Sequence, residues 1–243
     1  MIENLPMLIG AMLVVALLYS SVGHAGASGY IAVMTLCGLA PAEIKPTALT
    51  LNILVATIAS LQFWRAGHFS WKAFWPFAVL AVPLAYFGGY VNLPVPAFRI
   101  SVGIVLLASA ARFLVKPPEE VVARPPSKPV AIATGGGLGL LAGLTGTGGG
   151  IFLTPLAVFM RWTSTKTASA ISALFILCNS VAGLLGNLAA TQKLPTVALP
   201  LAAAVLIGGT AGSYLGARQL PAIAIKRLLA AVLTIAGFKL ALA

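Results

Sequence analysis

Charged residues are scarce in this chain. Only 8% of its 243 residues are charged, whereas 60% are hydrophobic and the mean hydropathy is +1.03. Soluble domains carry about 25% charged residues, so a protein that covers itself with charge for water is excluded. A membrane-spanning helix needs about 20 apolar residues. The composition therefore predicts an all-α polytopic membrane protein whose length lies mostly within the bilayer.

Acidic residues are absent from the apolar runs. The four acids lie at the N-terminus or in connections, namely at Glu3, Glu43, Glu119 and Glu120. The carboxylates that usually relay cations or protons across a membrane therefore have no candidate. No carboxylate pair, His/Cys cluster or nucleophile–base constellation occurs, so we expect no enzyme activity, no metal and no cofactor. A core lined by amides and hydroxyls suits an anion instead.

The net charge of +11 comes from basic residues between the apolar runs. This placement reflects membrane topology rather than nucleic-acid binding. The polar, proline-rich segment 116–129 is predicted as a cytoplasmic linker between a first transmembrane repeat (1–115) and a second (130–243). The apolar runs fall at 5–20, 26–39, 46–64, 73–92 and 97–115, then at 130–144, 150–160, 167–190, 196–216 and 222–242.

The two halves resemble each other at an offset that drifts from 121 to 127 residues. At 121 Gly29–Met34 lies over Gly150–Pro155 and Lys45 lies over Lys166. Pro76 and Tyr90 match Pro200 and Tyr214 at 124, and Leu93–Pro94 matches Leu220–Pro221 at 127. We interpret this as an internal duplication. The fold prediction is two repeats, each with a broken or re-entrant helix pair followed by three transmembrane helices.

The basic residues indicate that the repeats are inverted. If the first two runs of each half return the chain to the side it left, eleven of the fifteen basic residues share one side; if they form one crossing, the split is 8 against 7. The positive-inside rule favours the first model, with an odd number of crossings per half and both termini outside. The eleven are Arg65, Lys72, Arg112, Lys116, Arg124, Lys128, Arg161, Lys166, Arg218, Lys226 and Arg227.

Each half contains one glycine-rich break within an apolar run. A helix loses roughly 1 kcal/mol per glycine, and broken backbone at membrane depth survives only inside protein or against a polar cavity. Short, interrupted segments at matching positions in two halves indicate a transporter substrate site. The helices that restart after the breaks present free N–H groups to an anion. The predicted substrate-binding residues are Ser20, Ser21, Gly23, His24, Gly26, Ala27, Ser28, Gly29, Asn52, Thr145, Gly146, Thr147, Gly148, Gly149, Gly150 and Asn179.

Other interpretations of these residues stay open at this point. The glycines could serve close helix packing alone, although packing seams space small residues every four positions and Gly148–Gly150 are consecutive. Asn52 and Asn179 could line a pathway or hold helices together. His24 could couple a proton to the anion or serve as a structural hydrogen-bonding group.

The segment Gly146–Pro155 and its looser counterpart Gly26–Val33 resemble the sulfite exporter TauE/SafE family of anion permeases, as does Lys166–Ala170. The resemblance covers nearly the whole chain. It implies a secondary transporter for a small sulfur-containing oxyanion such as sulfite, a sulfonate or thiosulfate, working by alternating access at a bacterial inner membrane. A passive anion channel and a membrane subunit of a sulfur-handling complex are the alternatives. The expected partners are an inorganic or organosulfur anion and the lipid bilayer, with a homodimer as one option for assembly and no nucleic acid.

Overall fold

Long apolar runs interrupted by glycine and proline produce helices of two lengths. The computed structural model describes residues 5–91, 123–192 and 195–242, and every regular element in those ranges is helical, which confirms the all-α prediction. The helices are α1 (Leu5–Ser21), α2 (Ala27–Leu36), α3 (Pro41–Arg65), α4 (Trp71–Tyr90), α5 (Lys128–Thr145), α6 (Gly150–Phe159), α7 (Thr165–Thr191), α8 (Ala198–Tyr214) with a π-helical last turn (Leu215–Gln219), and α9 (Ala222–Leu242).

Four segments of the described ranges are long and apolar enough to cross a membrane: Ala42–Arg65, Trp71–Tyr90, Thr165–Thr191 and Ala198–Gln219. Helices α2 and α6 have only ten residues each. Ten helical residues extend about 15 Å, which is half of a hydrocarbon core of about 30 Å. The two short helices therefore end at about the depth of the bilayer centre if their outer ends lie at its surface.

Each short helix follows a break at which the chain turns back onto the helix before it. A Cβ added at Gly29 of α2 would lie 3.3 Å from the ring of Tyr19 on α1. A Cβ added at Gly149, just before α6, would lie 3.1 Å from the Cβ of Ala142 on α5. Each pair therefore forms a helical hairpin with a glycine-rich break at its tip.

The hairpins pack against the opposite half of the chain. Glycines of α5 approach α4 so closely that a Cβ would overlap the facing carbonyl group, and glycines of α8 approach α1 in the same way. Small residues allow such close packing of helices in lipid. Both pairs run parallel, because the contacts advance together along both helices: Gly135–Phe77, Gly139–Ala81 and Gly143–Ala85 in one, and Gly208–Leu13, Gly212–Leu17 and Gly216–Ser21 in the other.

Helices α3 and α7 form the centre of the molecule and run in opposite directions. Leu49 faces Gly183, Asn52 bonds to Ser180, and Phe63 shares a buried cluster with Ala170. Opposed directions are what inverted halves require. The complete inverted repeat stays a prediction, since the run 97–115 and linker residues 116–122 lie outside the described residues.

The backbone corrects the offset between the halves. Gly23, Gly26 and Gly38 adopt positive φ angles, and residues with positive φ recur 123 positions later at Gly146, Gly149 and Arg161. Helices α3 and α7 begin 124 residues apart, at positions 41 and 165. The predicted offset of 121 is therefore two residues too short at the breaks and three too short at the start of α3, where 124, the offset predicted for Pro76 and Tyr90, applies. Uniformly apolar sequence aligns almost equally well at neighbouring offsets, whereas the left-handed turns fix the position.

The corrected offset changes which side chains are equivalent. His24 corresponds to Thr147, and Ala27 corresponds to Gly150. Asn52 corresponds to Ile176. The two halves therefore place different side chains at the same point of the fold.

Candidate functional site

The first break, residues 22–26, ends α1 and begins α2. The N–H of His24 donates to the carbonyl of Tyr19 at 2.9 Å, and the hydroxyl of Tyr30 donates to the carbonyl of Ala25 at 2.6 Å. Gly23 packs on the backbone of Ser169, at the start of α7, so closely that a Cβ would overlap it. The tip of the first hairpin is therefore fixed against the other half of the chain.

Asn52 of α3 connects the two breaks. Its Oδ1 accepts a hydrogen bond from the N–H of Ala27, the first residue of α2, at 3.0 Å. Its Nδ2 lies 3.3 Å from both the carbonyl oxygen of Thr147 and the hydroxyl of Ser180. One fully buried amide therefore holds the start of the first short helix and the tip of the second hairpin together.

The second break, residues 146–149, ends α5 and begins α6. Phe152 is the first residue of α6 whose N–H bonds to a carbonyl of this segment, that of Gly149 at 3.1 Å. The N–H groups of Gly150 and Ile151 precede it, and the first N–H groups of a helix have no partner within the helix. The Ile176 side chain lies against Gly150, and neither of these two N–H groups makes a hydrogen bond to the described residues. This helix start is therefore available to an anion.

His24 forms a further connection between the halves. Its Nε2 lies 2.9 Å from the hydroxyl oxygen of Thr154, which is on α6 one turn after Gly150. Its Nδ1 is buried without a hydrogen-bond partner among the described residues. His24 therefore contacts the second hairpin from the first break.

The structure buries all the predicted site residues except Thr145, which is half-buried. Several of their hydroxyls are turned away from the meeting point of the breaks. Ser20 and Ser21 donate to the carbonyls of Leu17 and Leu18 on their own helix. The hydroxyl of Ser28 donates to that of Tyr19 at 3.1 Å. The central contacts in this closed conformation are thus made by Asn52, by the backbone of the breaks and by His24.

Asn179 differs from Asn52 in having no bonded partner. Both its Oδ1 and its Nδ2 are buried without a hydrogen bond in the described part of the chain, and the residue is 1% exposed. On α7, the hydroxyls of Ser169 and Ser172 are also buried without a hydrogen-bond partner among the described residues. These polar groups lie close to the breaks, and no described residue forms a hydrogen bond with them.

Lys45 lies near the second break but directs its charge elsewhere. Its Cγ would lie 3.0 Å from a Cβ at Gly146. Its ammonium group donates to the carbonyls of Gly88, Gly89 and Val91, at 3.1 to 3.3 Å. Cations at the C-terminus of a helix satisfy its last carbonyls, so Lys45 caps α4.

Sequence reasoning did not identify three residues of this site. Thr154 lies inside the glycine motif but was not assigned a role, and Ser180 and Ile176 had no distinguishing signal. The offset between the halves would have identified Ile176, because it is the counterpart of Asn52 at 124 residues.

Comparison with known proteins agrees with the membrane architecture. The family model of the sulfite exporter TauE/SafE matches residues 8–240. The chain is also 40% identical over 235 residues to the "Probable membrane transporter protein y4hK" of Sinorhizobium fredii (strain NBRC 101917 / NGR234), with 95% of each chain covered. No solved structure is significantly similar. The chain is a multi-pass membrane protein of the transporter type, and it belongs to the sulfite exporter TauE/SafE family.

Proposed function

We propose that this protein is a permease that moves a small sulfur-containing oxyanion, such as sulfite, a sulfonate or thiosulfate, across a bacterial inner membrane with both termini outside. The family name supports an anionic sulfur substrate. The acid-free apolar runs support it too, because no carboxylate would repel an anion there. The substrate would bind where the two breaks meet.

The observation that carries this proposal is the double contact of Asn52. One side chain bonds both to the start of α2 and to the tip of the second hairpin. The two breaks therefore adjoin the same point, and the positive end of each short helix adjoins it as well. Helix starts that converge near the bilayer centre are typical substrate sites of transporters with broken helices.

Alternating access would follow from movement of the hairpins. The breaks are buried in this structure, so the site is closed in this conformation. The hairpins pack on α4 and α8 of the opposite half, and rocking of one hairpin with its partner helix would open the site to one side. Breakage of the Asn52 contact to Thr147 or of the His24 contact to Thr154 would accompany opening.

The direct test is flux of radiolabelled sulfite and thiosulfate into proteoliposomes that contain the purified protein. We expect saturable flux in the wild type and its loss in Gly149→Leu and Ser28→Leu, since both residues are buried at a helix start. Gly137→Leu is the matched control, because a Cβ at this exposed α5 glycine meets nothing within 4 Å. Unchanged flux in folded Gly149→Leu or Ser28→Leu protein would contradict the proposed site.

The same preparation separates a transporter from a passive channel. A permease that alternates between closed states gives flux that saturates with anion concentration and no single-channel currents. Unsaturated currents in planar bilayers would contradict alternating access. Transport by the purified protein alone would also argue against an obligatory role as a subunit of a larger complex.

A further inference from the structure

The unbonded amide of Asn179 is the least satisfied side chain in the described part of the bundle. It leaves one acceptor oxygen and the donors of its nitrogen without partners. A buried polar group left unpaired costs about 1–3 kcal/mol. Native proteins keep such groups where a bound molecule satisfies them or where a function requires them.

Asn179 lies beside the second break. On α7, Phe175 and Gly183 are one turn before and one turn after it, so the three positions share a face. A Cβ at Gly149 would lie 2.9 Å from the ring of Phe175, and a Cβ at Gly183 would lie 3.6 Å from the Cα of Gly143. Asn179 therefore lies between a contact to the last residue of the second break and a contact to α5 just before that break.

Ser172 is a second unsatisfied group at the same place. Its hydroxyl is fully buried without a partner. Its carbonyl oxygen would lie 3.3 Å from a Cβ at Gly150, the first residue of α6. Ser172 and Asn179 are two turns apart on α7, so they flank the helix start that has no side-chain cap.

The first N–H groups of the two short helices differ in their hydrogen bonding. The N–H of Ala27, which would bind an anion there, already donates to Oδ1 of Asn52. The corresponding N–H of Gly150 makes no hydrogen bond to the described residues. The first N–H of the short helix is therefore bonded to protein at the first break and has no hydrogen-bond partner among the described residues at the second.

We infer that the second break binds the oxyanion, through the N–H groups of Gly150 and Ile151 and the hydroxyl of Ser172, and that Asn179 recognises a hydrogen-bond donor carried by the substrate. This inference rests on the proposed function. A fully deprotonated anion such as thiosulfate satisfies the Asn179 nitrogen and leaves its oxygen unpaired. A hydroxyl-bearing sulfonate or hydrogensulfite satisfies both atoms.

Two sulfonates that differ by one hydroxyl test this inference. Inhibition of labelled sulfite flux in proteoliposomes would be compared for 2-hydroxyethanesulfonate and ethanesulfonate. One buried hydrogen bond corresponds to about a tenfold difference in binding, so we expect 2-hydroxyethanesulfonate to inhibit about tenfold more strongly. In Asn179→Leu the inhibition ratio should fall to about one.

Asn187→Leu is the matched control. Asn187 is also buried on α7 with an unbonded side-chain oxygen, but it lies two turns further from the second break. We expect it to keep the wild-type ratio. If Asn179→Leu does not fold, Asn179→Ala and the wild-type ratio itself carry the test.

The outcomes distinguish this inference from the proposed function. Absence of sulfite flux in the wild type would contradict the proposed function. Sulfite flux with equal inhibition by the two sulfonates, or with none by either, would overturn the role of Asn179 and indicate that an ordered water satisfies it. A ratio that persists in Asn179→Leu would overturn it as well.

Discussion

The two breaks have similar backbone conformations and different side chains. Each contains two left-handed glycines three residues apart, Gly23 and Gly26 in the first and Gly146 and Gly149 in the second, and each is followed by a ten-residue helix. The first helix start is bonded to Asn52, whereas the second lies against Ile176. His24 in the first break corresponds to Thr147 in the second.

Under the predicted duplication, this difference means that the two breaks keep the same geometry and have different roles. A side-chain oxygen at the first helix start takes the place that an anion's oxygen would occupy. At the second start the N–H groups of Gly150 and Ile151 have no hydrogen-bond partner among the described residues, and the unbonded side chains of Ser172 and Asn179 lie nearby. The first break would then close the site, and the second would bind the substrate.

Removal of the Asn52 amide should have the largest effect on this arrangement. Asn52→Leu deletes three hydrogen bonds and leaves the Ala27 N–H and Thr147 carbonyl unpaired in a buried place. We expect sulfite flux to fall more than hundredfold and stability in detergent to fall by about 3 kcal/mol. Flux within threefold of the wild type, with Asn187→Leu as the control, would show that the two breaks need not be joined.

Replacement of Ile176 would make the two breaks alike. Ile176→Asn places an amide oxygen beside Gly150, as Asn52 places one beside Ala27. That oxygen would compete with the anion for the free N–H groups, so we expect affinity for sulfite to fall about tenfold. The control is Ile176→Leu, which conserves volume and should bind sulfite as the wild type does. Unchanged affinity in Ile176→Asn would mean that the anion does not use this helix start.

The bond between His24 and Thr154 should contribute less. Thr154→Val keeps the shape of the side chain but removes the hydroxyl that lies 2.9 Å from Nε2. A buried hydrogen bond contributes about 1 kcal/mol. A double-mutant cycle with His24→Phe, measured by unfolding in detergent, should give a coupling energy of that size. A coupling near zero would mean that the two residues act independently.

The smallest effect is expected at Ser21. Its hydroxyl donates to the carbonyl of Leu18 on its own helix at 2.7 Å, so it has no free donor for an anion. Sulfite flux in Ser21→Ala should stay within about twofold of the wild type. A tenfold loss would show that this hydroxyl turns toward the substrate in another conformation.

The sequence predicts the helices and their breaks closely because both depend on local chemistry. The runs 150–160 and 222–242 correspond to α6 and α9 almost residue for residue. Length, hydropathy and glycine clusters determine where a helix can persist in lipid. The sequence pattern also placed Asn52 and the two breaks in one candidate site, and the structure brings them into contact.

Side-chain partners could not be predicted in the same way. Rotation of a buried helix about its axis is set by tertiary contacts, and nearly every face of α3 and α7 is apolar. The sequence therefore did not indicate that the Asn52 side chain would form three hydrogen bonds while that of Asn179 would form none with the described residues. It also did not indicate that Ser20 and Ser21 would bond to their own helix.

The most direct test of the central claim is an experimental structure of the protein in lipid nanodiscs with sulfite bound. The asymmetry between the breaks predicts anion density within hydrogen-bonding distance of the N–H groups of Gly150 and Ile151, close to Asn179. Density at the start of α2, with the Ala27 N–H released from Asn52, would contradict the account. So would density remote from both breaks.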